Sequence, residues 1–289
     1  MKLKMGIVGA ENSHTAAIGK LVNIDKRIRG FEVSHVWGET DELARAAAAE
    51  GGIAKIVKRP GEMLGEIDCV MIDHRDGKHH LAAARPFIEA GIPVFVDKPL
   101  ATSTVAARKL LSLRRKHGVA LTSMSAIPHQ SSIAGIKREL CELKSLNAGW
   151  LLGPGSHEGP YGGVMFYGIH LTELMVALFG TSVVSVQASA NGSICTSICE
   201  YENGLTVTIV LGSGSGWSVA AGVGGGVKQW TVEVDESTYL GSSRKVFKMF
   251  RSGKEPLSDE EMFVPVAVLE AMKRSLERKK RVKVALLDA

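Results

Sequence analysis

From residue 3 to about residue 122 the chain alternates short apolar runs with helix-length segments. The runs cover 4–8, 32–37, 69–72, 93–96 and 119–122. Between them, segments such as 41–50 and 104–117 are rich in Ala, Leu, Arg and Lys, which favour helix. Strands separated by helices predict βαβ units around a parallel sheet with helices on both faces. After residue 122 the texture changes. Helices are predicted at 133–143 and 169–179, with a Gly-rich loop between them, and strand-like alternation follows at 183–190, 193–201, 205–211 and 229–235. Strands that succeed one another without helices predict an open antiparallel or mixed sheet. A last helix is predicted at 266–278, and the glycine clusters 212–216 and 222–226 read as loops. The predicted class is α/β: a doubly wound N-terminal domain at 1–122 and a C-terminal α+β domain at 123–289 that supplies substrate binding and oligomerisation.

Composition changes this picture little. The 289 residues exceed an ordinary single domain, so two cores are expected. At 45% hydrophobic and 22% charged residues the chain is too apolar to be disordered. The net charge of +5 is thinly spread, apart from the basic residues 273–274 and 278–281 at the end of the last helix. Cations there oppose the helix dipole, and no aromatics interleave them, so no nucleic-acid partner is expected. No secretory leader and no membrane-length apolar run are read, and the four scattered cysteines suit reduced thiols, so a cytoplasmic location is expected.

The first chemical signal follows the first strand, where Gly9-Ala10-Glu11-Asn12-Ser13-His14 leads into a helix. A doubly wound fold binds dinucleotide pyrophosphate at this point, against a helix N-terminus. The pattern G-x-G-x-x-G falls on Gly9, Glu11 and His14, so only its first glycine is kept. Asn12 and Ser13 are good N-cap residues, and His14 adds a donor. After the second strand comes Gly38-Glu39, whose carboxylate could hold ribose hydroxyls and leans the cofactor choice, NAD or NADP, towards NAD. Asp73, His74, Arg75 and His80 follow the third run and are expected to line the same cleft.

The second signal is Asp97-Lys98-Pro99, directly after a buried parallel strand. With the strand–loop–His–helix stretch 68–91 and the element Gly162-Gly163-Val164-Met165-Phe166-Tyr167-Gly168-Ile169-His170-Leu171-Thr172-Glu173, it resembles the Gfo/Idh/MocA oxidoreductase family. Asp97-Lys98-Pro99 stands where that family has Glu-Lys-Pro. The resemblance implies a Rossmann domain, hydride exchange between nicotinamide and a secondary alcohol of a sugar, cyclitol or related polyol, and a homodimer or homotetramer joined through the C-terminal sheet. It places Lys98 and His170 as the catalytic pair, with Tyr161, Phe166, Tyr167 and Glu173 around the substrate. A histidine can take the proton that leaves the hydroxyl while an ammonium steadies the developing oxyanion. Phe166 stands where the family has an aspartate one helical turn before the histidine, and Glu173 is the expected substitute. No metal is expected, because His157-Glu158 and His170-Glu173 offer no fixed ligand face. Two rivals follow from the departures at Glu11 and Phe166 and from the wider family: a catalytically reduced dinucleotide or sugar sensor, and a glycosidase-like lyase with tightly held NAD.

Overall fold

Strands with every residue buried, such as Cys69–Ile72 and Val94–Val96, can exist only in a sheet covered on both faces. The computed structural model, which describes residues 2–143 and 146–287 and leaves aside the side chains at 236 and 237, contains such a sheet. Met1 and Ala289, the outer ends of the two expected domains, lie outside the described residues. The chain divides into two units, one of residues 1–101, 106–123 and 243–257, the other of 102–105, 124–242 and 258–289.

The first unit runs β1 (Leu3–Val8), α1 (Ser13–Gly19), β2 (Phe31–Trp37), α2 (Asp41–Gly51), β3 (Lys55–Ile56), β4 (Cys69–Ile72), α3 (His80–Glu89), β5 (Val94–Val96), α4 (Thr104–His117) and β6 (Leu121–Ser123). Its six strands stand in the order β3-β2-β1-β4-β5-β6, all parallel. The order reverses between β1 and β4. In open α/β sheets ligands bind outside the carboxyl ends of the strands at that reversal, which is where residues 9–14, 73–75 and 97–99 lie. Ile7, Val36, Ile72 and Val96 fill the sheet's core, with Phe87 and Ile88 from α3 and Leu110 and Leu111 from α4.

Residues 243–257 return to this unit, an arrangement that nothing in the periodicity signals. The Phe247 ring lies 4.7 Å from that of Phe31. Glu255 accepts from Arg114 at 2.6 Å and from the Leu121 amide at 2.9 Å, so one carboxylate ties the returning segment to α4 and to β6.

The second unit contains α5 (Ser131–Glu142), β7 (Leu146–Gly153), α6 (Val164–Phe179), β8 (Val183–Asn191), β9 (Ile194–Tyr201), β10 (Thr206–Leu211), β11 (Trp217–Val223), β12 (Gly226–Val232), α7 (Glu236–Ser252, shared with the first unit), α8 (Asp259–Arg278) and β13 (Val282–Lys283). The sheet order is β12-β11-β7-β10-β9-β8-β13; β7 and β10 are parallel and the other pairs antiparallel, so the sheet is mixed. Helices α6 and α8 pack together against one face. Gly168 makes their approach possible, because a Cβ there would stand 2.8 Å from Leu269. Ser275 on α8 accepts the Ala188 amide of β8 at 2.9 Å and donates to the Lys280 carbonyl at 2.7 Å, fixing helix to sheet. Trp150, Leu152, Val184, Ile194 and Ile198 are exposed on the sheet's strands.

Several boundaries differ from the sequence reading. Strands β7 and β11 and helix α7 were not expected. Gly222 and Gly226 belong to strands, and the turn between them is made by Gly224 and Gly225, at φ +52° and +88°. The strand expected at 229–235 is β12 and ends at Val232. Helix α6 begins at Val164, and α8 begins at Asp259 behind a capping box of Ser258 and Glu261 with Pro265 inside it. Among the described residues no helix is long and apolar enough to cross a membrane. All four cysteines are unbridged.

Candidate active site

The expected cofactor residues converge on the first unit's strand ends. Gly9 has φ +118°, and a Cβ on it would lie 2.6 Å from the Asp73 carbonyl carbon and the His74 nitrogen. The turn after β1 therefore needs glycine here, because the chain leaving β4 passes directly against it. Gly38 is pressed in the same way, its absent Cβ 2.9 Å from that of Ala10.

The second and third glycines of the dinucleotide pattern are replaced by residues that make their own contacts. One carboxylate oxygen of Glu39 accepts from the amides of Ala10 at 2.8 Å and Glu11 at 3.0 Å. These two amides already hold an anionic oxygen, which is the property a phosphate or ribose cradle requires. Ser13 opens α1 and is exposed, and Arg75 is exposed also. Asn12 caps α1, its side-chain oxygen accepting from the His14 amide.

Asn12, His14, Asp73 and Asp97 form a polar knot. Asn12 Nδ2 donates to Asp73 at 3.1 Å and to Asp97 at 2.9 Å. His14 Nδ1 stands 3.2 Å from Asp97. Thr15, between α1's first turn and β4, contacts the Gly9 carbonyl at 2.8 Å and the second oxygen of Asp73. Burial would lower the pKa of His14, but the charge and hydrogen bond of Asp97 outweigh it and the net shift is upward. Burial would raise Asp97, yet His14, Lys98 and His80 together hold it below the usual carboxylate range. Asp73 moves well upward, from burial first and the neighbouring Asp97 charge second. One donor atom from each of His14, Asp73 and Asp97 falls within 4.8 Å of the others. We assign no metal to them, because the Asn12 amide already serves both carboxyls and Lys98 adds positive charge.

Lys98 is 7% exposed, stands two residues past the end of β5, and is joined to buried Pro99 by a cis peptide bond. His80 lies behind this strand end, Nδ1 2.8 Å from the Pro99 carbonyl and Nε2 2.9 Å from the His74 carbonyl. Its pKa is lowered by burial, so the neutral ring, with one N–H, donates to one carbonyl at a time. Burial brings His74 down to about 4, and its ring packs 5.6 Å from Trp37.

In the second unit, Gly162 and Gly163 have φ of +91° and +60°, and a Cβ on Gly163 would strike the His157 carbonyl at 2.5 Å, so the entry to α6 is a glycine requirement. His170 lies on α6. Its Nδ1 is 2.6 Å from Ser125 Oγ, a residue the sequence reading did not single out. Glu173 accepts from the Ser125 amide at 2.5 Å. Glu173 thus holds the imidazole's Ser125 partner, one helical turn after His170. Tyr161, Phe166, Tyr167, His170 and Trp217 form a continuous aromatic row, with successive ring centroids 5.0, 5.1, 5.9 and 5.8 Å apart. Phe166 is half-buried in that row, between two tyrosines. Ser125 and Trp217 carried no motif. A serine just past a strand end and a tryptophan after a glycine loop are too common to mark a site.

Comparison with known proteins bears on this architecture. Residues 3–125 match the Gfo/Idh/MocA model, described as an oxidoreductase family with an NAD-binding Rossmann fold. The inositol 2-dehydrogenase of Klebsiella pneumoniae (strain 342) is 30% identical over 147 residues, 48% of this chain and 41% of that protein. The chain thus spans about two fifths of the length of that curated relative in the matched region. Two solved structures align with nearly the whole chain. The myo-inositol dehydrogenase of Lactobacillus casei, in complex with NAD(H) and myo-inositol, has a TM-score of 0.86 at 15% identity and covers 100% of this chain and 98% of its own. The myo-inositol 2-dehydrogenase of Lactobacillus plantarum has a TM-score of 0.84 at 14% identity, covering 99% and 100%. At these identities they establish the fold.

Proposed function

We propose, from the match of residues 3–125 to the Gfo/Idh/MocA oxidoreductase model, that the chain is a dehydrogenase that moves hydride between NAD(P) and a secondary alcohol of a cyclitol or sugar. The observation that carries this reading is Lys98, an ammonium 7% exposed at the carboxyl end of a buried parallel strand, beside an ionised Asp97 and a turn whose amides hold an anionic oxygen. The residues present fit a dinucleotide: Gly9 leaves the close backbone approach, and Glu39, held after β2 at the amides of Ala10 and Glu11, is the carboxylate that would take ribose hydroxyls, which favours NAD over its 2′-phosphorylated form.

A bound nicotinamide supplies the hydride acceptor. In this reading the chain's own residues do the rest. Lys98 polarises the reacting hydroxyl oxygen and stabilises the charge that develops on it, and His170 receives the hydroxyl proton. Ser125 holds the imidazole at Nδ1, Glu173 holds Ser125, and Tyr161, Tyr167 and Trp217 offer the flat, partly polar wall that a ring bearing hydroxyls packs against. The exposed apolar positions Trp150, Leu152 and Ile198 support a homodimer or homotetramer formed through the sheet face.

The test is Lys98→Met assayed with a panel of cyclitols and sugars. Turnover is expected to disappear while NAD still binds by calorimetry. A fully active Lys98→Met removes the lysine from the mechanism. Cofactor binding by the unmodified chain without oxidation of any panel member supports the sensor reading instead.

A further inference from the structure

We propose that Asp73 is a neutral carboxylic acid in the folded protein at physiological pH, and that its proton ties the dinucleotide turn to the end of β4. The case is a count of hydrogens. The Thr15 hydroxyl oxygen lies 2.8 Å from the Gly9 carbonyl and also contacts Asp73 Oδ2. A hydroxyl has one proton, and a carbonyl has none. A protonated Asp73 satisfies both contacts, donating to the Thr15 hydroxyl while Thr15 donates to the Gly9 carbonyl; an ionised Asp73 would leave Thr15 one proton for two acceptors. The chain of donation runs from Asp73 to Thr15 to Gly9.

The other polar contacts divide in the way this assignment requires. Asn12 Nδ2 has two hydrogens and gives one to Asp73 Oδ1 at 3.1 Å and one to Asp97 Oδ2 at 2.9 Å, so that its third neighbour, His14 Nδ1 at 3.3 Å, receives none and is left to donate to Asp97. His14 Nδ1 is 3.2 Å from Asp97 but 3.9 Å from Asp73, beyond hydrogen-bond reach. Asp97 thus collects the imidazole as well as the amide and is the ion of the pair. Asp73, completely buried, keeps the proton. Two carboxyls this close cannot both ionise without a large cost. The upward shift of Asp73 and the downward shift of Asp97 agree with that division.

The charged and titratable groups around Asp73 are His14 on α1, Asp97 and Lys98 after β5, His80 on α3, adjacent His74, and Glu39 at the turn. With Asp73 neutral, Asp97 is the single negative charge within the knot. The functional consequence rests on the dehydrogenase reading. An anionic dinucleotide meets one carboxylate beneath the turn and not two, and its affinity falls once Asp73 ionises, by up to about tenfold per pH unit. The sign follows from the raised pKa. The proton-bound form is the one the fold favours, so stability and binding are held at lower pH and lost as pH rises through the folded-state value.

The experiment uses the full chain without added cofactor. Infrared difference spectra at pH 7 are expected to contain a buried carboxylic-acid carbonyl band that Asp73→Asn removes. Asp73→Asn keeps a neutral donor towards Thr15, so it should fold, and the part of the unmodified chain's fall in melting temperature that begins as pH rises past the ordinary carboxylate value should flatten in it. Thr15→Val, which removes the relay, should lower the melting temperature and shift the band. Absence of the band overturns the proposal, as does an unchanged dependence of melting temperature on pH above the ordinary carboxylate value in Asp73→Asn. A melting temperature raised by Mg²⁺ or Mn²⁺ in the unmodified chain but not in Asp73→Asn also overturns it, because the pair would then be two carboxylates bridged by a cation. None of these readouts needs turnover, so failure here is distinguishable from failure of the dehydrogenase reading.

Discussion

Replacing Ser125 by alanine tests whether the second unit's polar cluster serves His170. The substitution removes the 2.6 Å contact to Nδ1 and the hydroxyl that accepts the Ile127 amide at 3.2 Å, and leaves the Ser125 amide, and hence its 2.5 Å bond to Glu173, in place. The loop should stay where it is while the imidazole loses the partner that fixes its orientation and tautomer. A hydrogen bond of this kind contributes about 1 kcal/mol when both groups are neutral and about 1.5–3 kcal/mol once the ring is charged. The ring becomes charged only as it takes the hydroxyl proton, so the larger figure applies to the transition state. With 1.36 kcal/mol per tenfold in rate, kcat should fall roughly ten- to 150-fold. Glu173→Gln retains an oxygen that can accept the Ser125 amide and should lose only a few-fold. The assay is initial-rate reduction of NAD with the best cyclitol of the panel, alongside NAD affinity by calorimetry and melting temperature. A reduced kcat with unchanged NAD affinity is expected, together with a modest fall in melting temperature from the Ile127 amide that loses its acceptor. A Ser125→Ala protein whose kcat stays within twofold of the unmodified chain refutes the positioning role, and a loss confined to KM assigns Ser125 to substrate binding.

Other substitutions read other parts of the structure. Glu39→Ala strips the acceptor from the Ala10 and Glu11 amides, and NAD affinity should weaken about tenfold, measured by calorimetry, while NADP affinity changes less. Asn12→Ala removes both the cap of α1 and the donor shared by Asp73 and Asp97, and should cost about 1–3 kcal/mol in denaturant unfolding. Glu255→Ala leaves the Leu121 amide without its acceptor inside a buried strand and should cost about 1–3 kcal/mol by the same method. His74 is brought down to about 4 from an ordinary 6.5, so the unfolded chain binds its proton first as pH falls. Stability should therefore decline between about pH 6.5 and about 4, and His74→Phe should reduce that slope in melting curves taken across the range.

How much of this was legible in sequence depended on whether a signal was local. Short apolar runs at 69–72 and 93–96 between helix-length segments announced a parallel sheet, and Gly9 announced a turn, because each follows from residues a few positions apart. Lys98 after a short apolar strand was legible for the same reason. Strand β11 was hidden because its centre, Val219–Val223, is Ala- and Gly-rich and borders a second glycine cluster, so its alternation is faint. Helix α7 was hidden because the unpatterned stretch after β12 gave no sign that residues 243–257 would pack on β2 and α4, through Phe247 against Phe31 and Glu255 against Arg114. The pairing of Ser125 with His170, 45 positions apart, was set by how α6 meets the segment after β6, which no periodicity encodes.

The departures from the family pattern are better understood as sets than as single losses. His14, at the third glycine position, puts an imidazole at the start of α1, and Asp97 and Asn12 are there to meet it. Glu11, at the second, leaves its amide available, and Glu39 accepts from that amide and its neighbour. Phe166, in place of the aspartate a turn before His170, packs its ring between Tyr161 and Tyr167, and the polar contact to the imidazole comes from Ser125. If each set works as a unit, single reversions should fail. Phe166→Asp would put a carboxylate among aromatic rings while Ser125 still holds Nδ1, and it should lower kcat instead of raising it. His14→Gly would take the imidazole from Asp97, leaving two carboxyls to share the Asn12 amide and the Lys98 charge, and it should weaken NAD binding although it restores a glycine of the dinucleotide pattern. Tighter NAD binding by His14→Gly, measured by calorimetry at pH 7, would mean that the histidine is tolerated at that turn and plays no supporting part.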